Sequence, residues 1–110
     1  MQGQFSTVRE STTQGELLHV FGDVDFLCTE TFDAAVIEAE SGSRGLTIDF
    51  TACRYVDSAA ISVLIRAHRR LGSRLRLRIN EGSIVLRVLR IAQLDRVFQI
   101  VTDPSASPEA

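Results

Sequence analysis

The chain has 110 residues, 45% of them hydrophobic and 24% charged, an ordinary composition for one globular domain. That excludes a disordered chain, a fibrous repeat and a multidomain enzyme. All 12 basic residues are arginine, which excludes mechanisms built on a lysine: a P-loop, a Schiff base or a receiver-type site.

No apolar run approaches the ~18 residues that span a bilayer, so no membrane insertion is expected. Met1 to Glu10 is polar and does not read as a signal peptide, and a cytoplasmic location is expected. The net charge is −2 but unevenly placed. Residues 1–50 carry nine acids against two arginines, and residues 51–110 carry ten arginines against five acids. Such polarity suits a protein that meets partners through charged surfaces.

In chain order, a weak strand is predicted over Phe5 to Arg9, and Ser11 to Gly15 is turn chemistry. The apolar run Leu17-Leu18-His19-Val20-Phe21 reads as a central strand, ended by Gly22-Asp23. Phe32, Ala35, Val36 and Ala39 then follow helical spacing, with Thr29 as the predicted cap and Gly42 behind the end. Leu46, Ile48 and Phe50 alternate with Thr47, Asp49 and Thr51, a half-buried strand expected to end at Phe50. A second helix follows Asp57-Ser58, with a stripe of Ile61, Leu64, Ile65, His68 and Leu71 stopped by Gly72.

Leu75, Leu77 and Ile79 alternate with Arg74, Arg76 and Arg78, another strand with one wet face. Gly82-Ser83 opens a third helix with Val85, Val88, Leu89 and Ala92 on one side, and Phe98 to Val101 is a last short strand. Strands alternating with helices predict parallel pairing through right-handed crossovers. The wet strand faces place the helices mainly on one side. The domain spans 1–102, and 103–110 reads as a disordered tail.

Asp57 and Ser58 stand where a helix must begin, and either side chain can accept a bond from an orphan amide. On residues alone this is a cap. Three segments add to it: Asp49-Phe50 followed by Val56-Asp57-Ser58-Ala59-Ala60-Ile61-Ser62-Val63-Leu64, then Gly22-Asp23-Val24-Asp25, then Val88-Leu89 through Leu94-Asp95 to Phe98. Together they resemble the bacterial anti-sigma factor antagonists, the STAS domain family. That family has Asp-Ser-Ser-Gly at the helix start, Gly-Glu-Leu-Asp after the second strand and a closing Val-Leu-x-x-x-Gly-Leu-Asp-x-x-Phe. Ala59, Ala60 and Gln93 depart from its Ser, Gly and Gly.

The resemblance implies an α/β, STAS-like fold: a mixed, mostly parallel sheet of about four to five strands with helices mainly on one face. It implies that Ser58 is phosphorylated by an anti-sigma factor that is also a serine-protein kinase, and that a phosphatase reverses this. It further implies that the unmodified protein binds that kinase and so frees a sigma factor. Asp25 and Asp57 would line the phosphorylation site. The expected partner surface is Asp23, Asp25, Asp57, Ser58, Ala59, Ala60, Ile61 and Ser62. The alternative is a docking subunit of a lipid or anion transport complex in which Ser58 is only a cap.

No enzyme, cofactor or metal is expected. His19 and His68 lie far apart and read as packed, hydrogen-bonded side chains. The arginines of the second half read as a solvated face rather than a nucleic-acid site, with some pairing to Asp49. Cys28 and Cys53 follow strand ends and read as two reduced thiols, or alternatively as a regulatory disulfide near Ser58. The sequence leaves homo-oligomerisation open.

Overall fold

A computed structural model describes residues 4–41 and 44–102. Gly42 and the tail 103–110 lie outside the described residues. The elements run β1 (Ser6–Thr12), β2 (Gly15–Val24), α1 (Thr29–Glu40), β3 (Leu46–Val56), α2 (Ser58–Leu71), β4 (Leu75–Ile79), α3 (Ile84–Ile91) and β5 (Gln99–Thr102). Short 3-10 turns at Gly72–Arg74 and Leu94–Arg96 join α2 to β4 and α3 to β5.

The strands form one sheet in the order β1-β2-β3-β4-β5. β1 pairs antiparallel with β2, and β2 through β5 pair parallel. Each parallel step needs a crossover, and each crossover is a helix. Because the order advances in one direction and crossovers are right-handed, all three helices fall on the same face. The mixed sheet expected from the sequence is therefore what the chain forms.

The core lies between that face and the helices. Leu18, Val20 and Val24 from β2, Ile48 and Phe50 from β3, and Leu77 and Ile79 from β4 meet Phe32, Val36, Val63, Leu64 and Leu89. Phe32 is at its centre, with ring centroids 6.2 Å from Phe5 and 6.3 Å from Phe50 in edge-on contacts. Arg66 faces Asp33 at 3.8 Å and Arg70 holds Glu40, so two ion pairs also join α2 to α1.

Several boundaries differ from those read in the sequence. β1 starts one residue later than predicted and runs on to Thr12, paired along its length with β2. β2 does not stop at Gly22-Asp23, and β3 does not stop at Phe50. Both continue, pairing Phe21 with Ala52, Gly22 with Cys53, Asp23 with Tyr55 and Val24 with Val56 across two register shifts. At the first shift the Thr51 amide donates to the Asp49 carboxylate at 2.9 Å, a side-chain bond that competes with ladder pairing.

Thr29 is not the cap of α1. Cys28 holds that position without a side-chain bond, and the Thr29 hydroxyl instead donates to the Asp25 carbonyl at 3.1 Å. In α2, Ala60, Val63 and Ala67 are buried along with Ile61, Leu64 and Leu71 of the predicted stripe, while Ile65 and His68 are half-buried. In α3, Leu86 is buried where Ala92 was expected, and Ala92 is exposed. The last strand is Gln99–Thr102, one residue later than predicted, and Phe98 is core.

His68 packs edge-on against Phe98 at 5.7 Å. On the helix-free face, His19 Nδ1 lies 3.0 Å from Asp49 and Nε2 lies 3.0 Å from Glu10. Asp49 thus has a histidine partner on this face, and Arg78 lies beside it in the β3–β4 register.

Candidate functional site

The site forms where β2 and β3 end side by side. Asp57 closes β3, and its amide donates to the Val24 carbonyl at 3.1 Å. Its backbone is extended, and its carboxylate accepts the Ala60 amide at 3.0 Å. Of the two candidate caps, Asp57 is the one used. Ser58 becomes the first residue of α2, exposed to solvent. Asp57 already satisfies the orphan amide, so the Ser58 side chain is not needed for capping.

The facing loop, from Val24 to α1, is organised by Asp25. Its carboxylate accepts the Leu27 amide at 3.0 Å. Its carbonyl accepts the Cys28 amide at 3.0 Å, the Cys28 thiol at 3.4 Å and the Thr29 hydroxyl at 3.1 Å. A loop tied this tightly holds Phe26 and Leu27 outward, 72% and 80% exposed. Two adjacent large apolar side chains left in water on a fixed loop are available for burial against another molecule. The sequence reading passed over them. The available signal was two bulky apolar residues inside a polar turn, Asp25-Phe26-Leu27-Cys28.

The predicted residues divide. Asp25, Asp57 and Ser58 come together at this edge, with Ala59 half-buried and Ser62 exposed one turn on. The Ser62 hydroxyl donates to the Ser58 carbonyl at 3.1 Å. Ala60, expected on the partner surface, is instead a core residue at 0% exposed, and Ile61, read both as partner surface and as part of the apolar stripe, lies with the stripe at 9%. The turn of α2 that presents Ser58 outward rotates them inward against the sheet. Asp23 is half-buried within β2, opposite Tyr55. With Tyr55, Asn80 and Ile84 it lines a shallow groove of about 570 Å³.

Acid charge shows in the neighbouring thiols. Burial pushes the Cys28 thiol above its ordinary value, and the Asp25 and Asp57 carboxylates add to this. Burial pushes Cys53 up to about 11, with the Asp23 charge adding. Both cysteines are free. A raised thiol value opposes thiolate formation, so neither is primed for nucleophilic chemistry. Among the described residues, no helix is long and apolar enough to cross a membrane.

Residues 8–102 match a family model described as "Mlab, STAS domain". Among solved structures, the chain is similar to an anti-sigma factor antagonist from Mycobacterium paratuberculosis, with 17% identity over 93% of this chain and 89% of that one and a TM-score of 0.81. It is also similar to the anti-sigma factor antagonist SpoIIAA in its unphosphorylated form, with 16% identity over 91% of each chain and a TM-score of 0.65. A third similar structure is the Bacillus cell fate determinant SpoIIAA in the phosphorylated form, with 18% identity over 92% and 96% and a TM-score of 0.62. At these identities the likeness concerns the fold. No curated protein matches.

Proposed function

The chain belongs to the STAS domain family, and from that premise we propose that it is an anti-sigma factor antagonist switched off by phosphorylation of Ser58. The observation that carries the reading is an exposed Ser58 at the start of α2, on an edge with two fixed carboxylates and a loop bearing exposed Phe26 and Leu27. A serine there is reachable by an enzyme, and the apolar pair gives a partner something to bury.

The unmodified protein docks its partner, an anti-sigma factor that is also a serine kinase, through Asp23, Asp25, Phe26, Leu27, Asp57, Ser58, Ala59 and Ser62. It acts in the cytoplasm as a binding module rather than an enzyme. Phosphorylation adds about −1.5 to −2 charges at Ser58. The dipole of α2 tolerates an anion at its N-terminus, which favours it by about 0.3–1 kcal/mol. The helix therefore stays folded. The penalty falls on docking: a hydrated dianion beside Asp25 and Asp57 must be desolvated against the partner, enough to lower affinity by ~100-fold. A phosphatase resets the switch.

Ala59-Ala60 favours a second reading, because a kinase that reads a Ser-Gly step finds neither residue here. In that case the protein is a docking subunit of a lipid or anion transport complex, and Ser58 stays unmodified. The test is the affinity of the anti-sigma partner for Ser58→Ala and Ser58→Glu, with mass spectrometry of Ser58 after incubation with kinase and ATP. Tight binding by Ser58→Ala and loss by Ser58→Glu is expected. Equal binding by both removes the switch.

A further inference from the structure

At the end of the parallel strands opposite Ser58, the β1–β2 turn meets the starts of β3 and β4. Two glycines permit the approach. A Cβ on Gly15 (φ +132°) would lie 2.6 Å from the Gly45 carbonyl oxygen, and one on Gly45 would lie 3.2 Å from the Arg74 carbonyl oxygen. The Glu16 amide donates to Gly45 at 2.9 Å, and the Arg44 guanidinium donates to the Thr13 carbonyl at 2.6 Å. The junction is therefore fixed, and it draws side chains from three separate segments together.

Four of these side chains are arginines, Arg44, Arg74, Arg76 and Arg78, set among neutral polar ones. A groove of about 350 Å³ is lined by Gln14, Arg44, Thr47, Ser73, Arg74 and Arg76. A neighbouring hollow of about 250 Å³ shares Gln14, Thr47 and Arg76 and adds Arg78. Arg76 and Arg78 share one sheet face because alternate residues of β4 point the same way, and Arg74, from the 3-10 turn before β4, lines the same groove. Among the described residues, the one carboxylate lining either hollow, Glu16, faces Arg9 at 3.2 Å and accepts the Ser11 hydroxyl at 2.8 Å.

We propose that this arginine groove binds a phosphate-bearing anion. Guanidinium forks match phosphate oxygens bidentately, and Ser73, Thr47 and Gln14 supply further polar contacts. Among the described residues, no aromatic side chain lines either hollow to supply the stacking that single-stranded nucleic acids use, and the size fits a pyrophosphate or a phosphate headgroup. Phosphate on arginine is the shared chemistry of a free anion and a lipid headgroup.

The test titrates the full chain calorimetrically with inorganic pyrophosphate at low chloride. In parallel the chain is sedimented with phosphatidic acid vesicles and with phosphatidylcholine vesicles. Wild type should bind in at least one arm, more weakly as salt rises. Arg76→Gln and Arg44→Gln should each weaken binding about tenfold. Arg69→Gln, on α2 and outside both hollows, should not. Pyrophosphate binding identifies a free anion, and phosphatidic acid binding alone identifies a headgroup. Silence in both arms, or equal loss in Arg69→Gln, overturns the proposal. Ser58→Ala should bind as wild type does, so this result stands or falls apart from the antagonist reading.

Discussion

The amide of Asp57 donates to the carbonyl of Val24, and that single 3.1 Å bond joins the start of α2 to the end of β2. Its consequence reaches both loops. Asp57 caps the helix with its side chain while its backbone holds the Asp25 loop in place, so Ser58 and the Phe26-Leu27 pair are presented from one rigid edge. The helix cap and the proposed docking surface share the same residue.

Asp57→Ala should therefore cost about 1 kcal/mol of stability, within the 0.5–2 kcal/mol range of lost N-caps. Asp57→Asn should cost little, because its amide oxygen still accepts the Ala60 hydrogen. Urea denaturation of the two variants checks this. A destabilisation by Asn equal to that by Ala would mean that the carboxylate charge, not the cap bond, is what matters.

Phe26→Ser and Leu27→Ser should leave stability within ~0.5 kcal/mol of wild type, since both side chains are already in water. Partner affinity should fall by about 2 kcal/mol for the stronger of the two, roughly 30-fold, as expected of an apolar anchor. Surface plasmon resonance against the anti-sigma partner measures it. Unchanged affinity in both variants would move the docking surface elsewhere.

Alkali should weaken the fold through Cys53. Its folded value is raised to about 11 against an ordinary thiol value of 9.0, so the folded state holds its proton more tightly than the unfolded chain does. The associated stability is complete below pH 9.0 and is lost as pH rises toward about 11. Two units correspond to roughly 2–3 kcal/mol. Comparing urea midpoints at pH 8 and pH 10.5, wild type should lose more than Cys53→Ala. Parallel losses would show that the thiol is not the titrating group.

Gly15→Ala should be among the costlier small substitutions. It forces a side chain into φ +132° and drives its Cβ to 2.6 Å from the Gly45 carbonyl oxygen. A cost of about 1–3 kcal/mol is expected. Gly82→Ala, with nothing within 4 Å of the added carbon, should be near neutral. Thermal melts of the pair make the comparison, and equal melting temperatures would mean that the β1–β2 turn yields freely.

Much of this arrangement is legible in the residue pattern. Phe32, Val36 and Ala39 announce α1, and Leu75, Leu77 and Ile79 alternating with arginines announce β4, because each period is local to its element. Asp57-Ser58 announces a helix start for the same reason: a cap bonds within a single turn. The length of β3 was hidden, since residues 51–56 become strand only by pairing with Phe21–Val24 some thirty positions away. Ala60 was read as surface although Ile61 already belonged to the apolar stripe, because the rotation of α2 about its axis is set by what the sheet buries, not by the first four residues of the helix.

The sequence by itself determined the kinds of elements, their order and the one-sided sheet, through periodicity and capping that act over a few residues. Only the tertiary structure decided which of the two polar residues at the head of α2 caps it and which is left facing solvent. It also decided that Phe26 and Leu27 stand outward and that Arg44, Arg74 and Arg76 line one groove. Those outcomes depend on contacts between segments distant in the chain, whose geometry is fixed only when the strands align.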